Sequence, residues 1–122
     1  MREILFRGKG INDEEWRYGF YTEQQGYPYI TPDGVAMYEI DANTAGQYTG
    51  FVDKNGKKIF EGDIVCMDDW IPPCMQVAYA QGAFYLAEIK KPVKHYGDIY
   101  YLNYGGKPYA KVIGNIYDDL SY

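Results

Sequence analysis

Between Gln47 and Val65 the chain breaks its own extension three times, at Tyr48-Thr49-Gly50, at Asn55-Gly56 and at Glu61-Gly62-Asp63. The runs that hold or flank those breaks, Gln47 to Val52, Lys57 to Phe60, and Ile64, Val65 and Met67, are too short for helices. An Asn-Gly pair between two such runs favours a type I′ hairpin, because both central residues of that turn take positive φ. A chain punctuated at this density folds by pairing short strands.

The remainder is built alike. Glu3 to Phe6 is an apolar run ended by Gly8 and Gly10, and Trp16, Tyr18 and Phe20 alternate with Arg17, Gly19 and Tyr21. Tyr27 to Thr31 reads as a strand, Pro32-Asp33-Gly34 as a turn and Val35 to Ile40 as the returning strand. Asp41 to Gly46 is expected to make one short helical turn capped by Asp41 or Asn43. The double proline makes Asp68-Asp69-Trp70-Ile71-Pro72-Pro73 a loop. Met75 to Tyr79 and Ala83 to Ile89 form a hairpin about Gln81-Gly82, Ile99 to Leu102 a strand, Gly105-Gly106 a turn, and Lys111 to Tyr117 a last strand. No long window has a helical period. The expectation is one domain over residues 1–122, mainly β, folded as a small or partly open barrel or a strongly coiled sheet, with extra β-hairpins and little helix.

Net charge is −5, and the basic pairs Lys57-Lys58 and Lys90-Lys91 stand apart. That argues against direct nucleic-acid binding, which needs clustered cations to displace counterions. An acidic surface suits a basic protein partner instead. Neither a signal peptide nor a membrane span is visible, so a cytoplasmic protein is expected. Cys66 and Cys74 fit no zinc spacing. Flanking one loop they can face each other, although a cytoplasm would keep them reduced.

Catalytic grammar is sparse. The single serine, Ser121, and the single histidine, His95, do not make a serine triad with a frayed terminal nucleophile. Neither cysteine has the basic surroundings of an activated thiol. Glu61 and Asp63 would share one strand face and, with Glu88, are the carboxylates a hydrolase would use. As a turn leading into a strand, Glu-Gly-Asp is explained by Asp63 accepting backbone hydrogen bonds. Asp53-Lys54-Asn55-Gly56 lacks the later ligands of a calcium loop, and Gly105-Gly106-Lys107 lacks the spacing of a phosphate loop. No cofactor or metal site is expected.

Binding is better served. The fifteen tyrosines combine apolar area with a polar tip. Asp68, Asp69, Trp70 and Ile71 place an indole and an isoleucine between acids and prolines, either as an anchor at a binding surface or as a lid on the core. Tyr100, Tyr101 and Tyr104 offer either stacking surface or cross-strand pairs.

The opening Met1-Arg-Glu-Ile-Leu-Phe-Arg-Gly-Lys9, Glu15-Trp-Arg-Tyr-Gly-Phe-Tyr21, Gln47-Tyr-Thr-Gly50, Asp53 to Val65 and Val112-Ile-Gly-Asn-Ile-Tyr117 together resemble the YopX family of phage and prophage proteins. The blocks keep the family's order from end to end, with Cys66 to Gly106 the poorest match. Asp41-Ala-Asn-Thr-Ala-Gly46 departs from the family pattern, which puts a proline after the aspartate. The resemblance implies a mostly β protein with an SH3-like barrel component and implies no chemistry. Its motif residues, Tyr48, Thr49, Gly50, Asn55, Gly56, Phe60, Glu61, Gly62, Asp63, Gly114 and Asn115, are read as structural. Function is expected to be that of a phage or prophage accessory protein that binds a host or phage protein. The alternatives are a small-ligand or nucleotide binder and, after it, a carboxylate hydrolase. Strand edges in so small a fold also make a homo-oligomer an expectation.

Overall fold

The computed structural model describes residues 5–89, 95–104 and 107–118, and for His95, Tyr96 and Tyr104 only the backbone. Two compact units divide the chain, Met1–Tyr48 and Thr49–Tyr122. Their boundary lies inside a strand, far from the double proline.

In the first unit β1 (Phe6–Lys9), β2 (Trp16–Gln24), β3 (Tyr27–Thr31), β4 (Tyr38–Glu39) and the start of β5 (Gly46–Val52) form an antiparallel sheet. Their order is β4-β3-β2-β1-β5. β1 runs through Gly8 rather than ending there. A Cβ on Gly8 would sit 2.3 Å from Ile40 Cδ1, so the glycine lets buried Ile40 lie against the strand. The returning strand after Gly34 is cut to two residues, because Asp33 Oδ1 accepts the N–H groups of Val35 and Ala36 and holds them in the turn. Asp41 caps the 3₁₀ turn Ala42–Thr44 by accepting the Asn43 N–H, as the sequence predicts.

The second unit begins within β5 and continues through β6 (Lys58–Phe60), β7 (Asp63–Cys66), β8 (Cys74–Ala80), β9 (Ala83–Ala87), β10 (His95–Asp98), β11 (Asn103–Tyr104), β12 (Lys107–Pro108) and β13 (Lys111–Asn115). β6 lies beside β5, β11 and β12 form a small ribbon, and the main sheet runs β10-β9-β8-β7-β13. Ile59, Val65, Met67, Met75, Val77 and Leu86 are buried in one cluster with Ile99, Leu102 and Val112. Each such side chain contributes about 2 kcal/mol of transfer free energy. The protein is mainly β with little helix, and its antiparallel sheets stay open rather than closing into a barrel. Among the described residues no helix is long and apolar enough to cross a membrane.

Three local expectations are corrected. Tyr48, Thr49 and Gly50 are not a turn but lie inside β5, where Thr49 Oγ1 donates to the Ile59 carbonyl at 2.8 Å. Gly50, at φ 92°, kinks the strand without ending it. Of Asn55-Gly56 only the glycine has positive φ, so the hairpin is a type I turn followed by a left-handed glycine. The two-residue turns with both φ positive are Gln25-Gly26 and Gln81-Gly82. Ile99–Leu102 is a 3₁₀ helix, not a strand, because its two apolar ends are three residues apart and both face the core. Gly105-Gly106 falls outside the described residues.

Candidate functional site

Two constellations stand out in the second unit, one buried and one exposed. The buried one centres on Asp53, only 2% exposed. Its Oδ1 accepts the N–H groups of Asn55 (2.8 Å) and Lys57 (2.9 Å), and its Oδ2 accepts that of Val112 (3.0 Å). Lys54 N–H donates to the Ala110 carbonyl alongside. One carboxylate thus joins the β5–β6 turn to β13, fifty-nine residues away. Burial pushes its pKa up, yet the N–H groups of Val112, Lys57 and Asn55, with the Lys57 charge, win and hold it below the ordinary carboxylate value.

Asp63 does a similar task nearby: it is buried, and its Oδ2 accepts the Phe60 N–H at 2.8 Å. Gly62, at φ 91°, lets the Tyr117 ring lie where a Cβ would be 2.6 Å from Cε2. Gly114 follows a register shift in β13. Asn115 then ends that strand by accepting the Tyr117 and Asp118 N–H groups. Glu61-Gly62-Asp63 is a turn braced by its carboxylate, which is the bonding the sequence assigned to Asp63.

The exposed constellation is the loop from Asp68 to Pro73 with the 3₁₀ helix Ile99–Leu102. Cys66 and Cys74 are opposite residues of β7 and β8 with Cα atoms 4.1 Å apart, and their sulfurs are bonded. The two cysteines face each other across the loop, as their flanking positions allow, and strand register brings their sulfurs within bonding reach. Above that closure the Met67 N–H donates to the Pro73 carbonyl and the Trp70 N–H to the Met67 carbonyl. Asp69 Oδ1 accepts a hydrogen bond from the Tyr109 hydroxyl.

Trp70 packs against the core cluster and meets the Tyr101 ring edge-on at 5.3 Å. Of the two roles open to it, its indole takes that of a lid. Ile71 turns the other way and is 97% exposed. Asp68 and Asp69 are exposed beside it. Tyr100 is 74% exposed, its ring edge-on to Phe51 at 5.6 Å. The Tyr104 side chain lies outside the described residues. A hollow of about 380 Å³ on the loop's flank is lined by Pro72, Pro73, Cys74, Glu88 and Ile89.

The structure therefore brings Asp69, Trp70, Ile71 and Tyr101 to one place and sets Tyr100 on the Phe51 side of the same helix. Sequence reading missed Gly97, and it met Tyr109 only as one of a concentration of tyrosines. A Cβ on Gly97 would be 2.9 Å from Tyr101 Cδ2 and 3.8 Å from Trp70 Cζ-side carbon Cη2, so this glycine makes room for both rings. The Ile99 to Leu102 spacing was the signal that a 3₁₀ turn projects the intervening tyrosines outward.

The chain matches the family model for YopX protein over residues 6–120. It belongs to the YopX family. The matched span takes in both units of this YopX protein, including the Asp53 cage and the exposed loop. A similar solved structure is that of protein EF1440 from Enterococcus faecalis, with 22% identity, 95% of this chain and 94% of that one covered, and a TM-score of 0.57. That likeness concerns the fold. No functionally curated protein matches this YopX chain.

Proposed function

We propose that this YopX-family protein is a phage- or prophage-encoded accessory protein that acts by binding a host or phage protein in the bacterial cytoplasm, without catalysis of its own. The observation that supports the reading is Ile71. It is 97% exposed on a loop anchored by Trp70, by the Asp69–Tyr109 hydrogen bond and by the Cys66–Cys74 closure. A large apolar side chain held out on an ordered loop loses little entropy on docking, which is what makes an anchor residue effective. The exposed Asp68 and Asp69 of the same loop suit a partner with an apolar recess and a basic rim. Cytoplasmic reductants act on the disulfide, but the tryptophan and tyrosine anchors do not depend on it.

The test is affinity capture from nuclease-treated host lysate with wild-type protein and Ile71→Asp, followed by calorimetry on the captured protein. The reading expects one abundant protein whose affinity falls about tenfold or more in Ile71→Asp, with an unchanged melting temperature. Equal capture by both forms refutes it. Trp70→Ala and Asp69→Ala are poor probes, because both residues hold the loop.

The hollow beside Pro72 and Pro73 favours a second reading, a small-ligand binder. Its one charged side chain, Glu88, is a carboxylate, so an apolar or cationic ligand fits better than a nucleotide. A thermal-shift panel separates the two, since a ligand of the native state must raise the melting temperature.

A further inference from the structure

The sulfur bridge at the foot of the Asp68 to Pro73 loop matters to the loop and not to the sheet beneath it. Cys66 and Cys74 are directly opposite on β7 and β8, which also pair Val65 with Met75 and Ile64 with Gln76. Each strand has a second neighbour, β13 beside β7 and β9 beside β8. Opening the bridge therefore leaves the strand register in place.

The two halves of the loop are held differently. The first is secured by core packing of Trp70, by the Tyr109 hydroxyl on Asp69 and by the Trp70 N–H on the Met67 carbonyl. In the second, Ile71, Pro72 and Pro73 are all exposed, and the prolines have no N–H to donate. Among the described residues, the ties of that half are the Met67 N–H on the Pro73 carbonyl and the bridge at Cys74. Both cysteines are half-buried rather than sealed, and Cys74 lines the hollow of about 380 Å³ on the loop's flank, which gives a thiol a way in.

We propose that Cys66 and Cys74 are a reversible thiol switch that sets how firmly Ile71 is presented; this rests on the cytoplasmic, Ile71-mediated binding proposed above. In a reducing cytoplasm a disulfide is ordinarily transient and redox-sensing rather than a permanent staple. A cytoplasmic dithiol attacks one sulfur as its thiolate and expels the other, and its second thiol then resolves the mixed disulfide. Two electrons pass to the protein, a proton ends on each cysteine, and the dithiol leaves as its own disulfide. Glutathione disulfide reverses the exchange and leaves as two glutathione thiols. In the reduced form Ile71 must be ordered anew on docking, which weakens binding roughly three- to tenfold, the ordering of one such side chain.

Three measurements on the full chain test the switch. In glutathione buffers spanning the poise of a reducing cytoplasm, thiol trapping read by mass spectrometry should show the pair passing from thiols to disulfide. A pair oxidised at every ratio, or reduced at every ratio, overturns the proposal. Amide hydrogen exchange should speed up about tenfold at Met67 on reduction while the amides within β7 and β8 keep their protection. Equal protection of Met67 in both states, or loss of protection along both strands, overturns it too. Calorimetry with the captured protein should find wild type weaker when reduced, Cys66→Ser indifferent to reductant, and Ile71→Asp weak in both states. Equal wild-type affinity in the two states, with Ile71→Asp still weak, overturns the switch and leaves the binding reading standing. Ile71→Asp binding as well as wild type sinks that reading, and the titration and Met67 exchange then decide the switch by themselves.

Discussion

Replacing Asp53 tests whether one buried carboxylate ties the second unit together. In Asp53→Ala three backbone N–H groups lose their acceptor. Those of Asn55 and Lys57 lie in an exposed turn and regain water, losing about 0.5–1 kcal/mol each. That of Val112 is buried and has no such recourse, so it costs about 1–3 kcal/mol. The sum is roughly 2–5 kcal/mol, a large part of the 5–15 kcal/mol typical of a domain. In Asp53→Asn one oxygen still serves the turn, but an amide NH₂ then faces the Val112 N–H, and the cost is about 2 kcal/mol. The pH dependence follows from the depressed carboxyl pKa. Because the folded value lies below the unfolded one, the stabilisation is fully present above the unfolded pKa of about 3.9 and is lost as pH falls through the folded value. The gap between wild type and Asp53→Asn should thus be constant near neutrality and shrink as pH falls below the unfolded value of about 3.9. Urea unfolding followed by Trp70 fluorescence in a Trp16→Phe background reads the second unit directly. Variants within about 0.5 kcal/mol of wild type, or a gap that ignores acid, would falsify the reasoning.

Other substitutions probe the same unit. Cys66→Ser removes closure of a loop whose ends are eight residues apart, and urea unfolding should register a loss of about 2.5 kcal/mol; reductant should do the same to wild type and nothing to the variant. Gly62→Ala is expected to cost about 2–4 kcal/mol by calorimetry, from positive-φ strain and from displacing the Tyr117 ring. In a Tyr117→Ala background only the strain, about 1 kcal/mol, should remain. Trp70→Ala should cost about 2–3 kcal/mol while Ile71→Ala stays within about 0.5 kcal/mol, because the first packs on the core and the second touches solvent. Reversal of that order in thermal melts would contradict the placement of the two side chains.

Strand content was legible because it depends on local alternation and turn residues: Tyr27 to Thr31 emerges with its ends in place, and the Gln81-Gly82 hairpin with its turn in place. Misreadings arose where a distant group overrode a local preference. Asn55-Gly56 has the composition of a two-residue turn, yet the Asp53 carboxylate collects the N–H groups of the turn and imposes a longer one. Gly8 looks like a terminator until Ile40 arrives from thirty-two residues further on to occupy its empty side. Tyr100 and Tyr101 look like alternating strand residues, but burial of both Ile99 and Leu102 demands a tighter coil. The exposed loop was visible as a composition, whereas the opposite directions of Trp70 and Ile71 depend on which of them finds the core.

β5 has one further consequence. The division between the units falls at Tyr48 and Thr49, both buried and both in the middle of a hydrogen-bonded strand rather than in a linker. A protease finds no hold there, and a gene fusion joined at that point would split a strand between two polypeptides. The exposed turn at Gln81-Gly82 is where the backbone is accessible to cutting and tolerant of insertion. Exchange of halves between relatives must keep β5 whole, so the seven residues Gly46–Val52 are inherited as one piece by whichever half carries them.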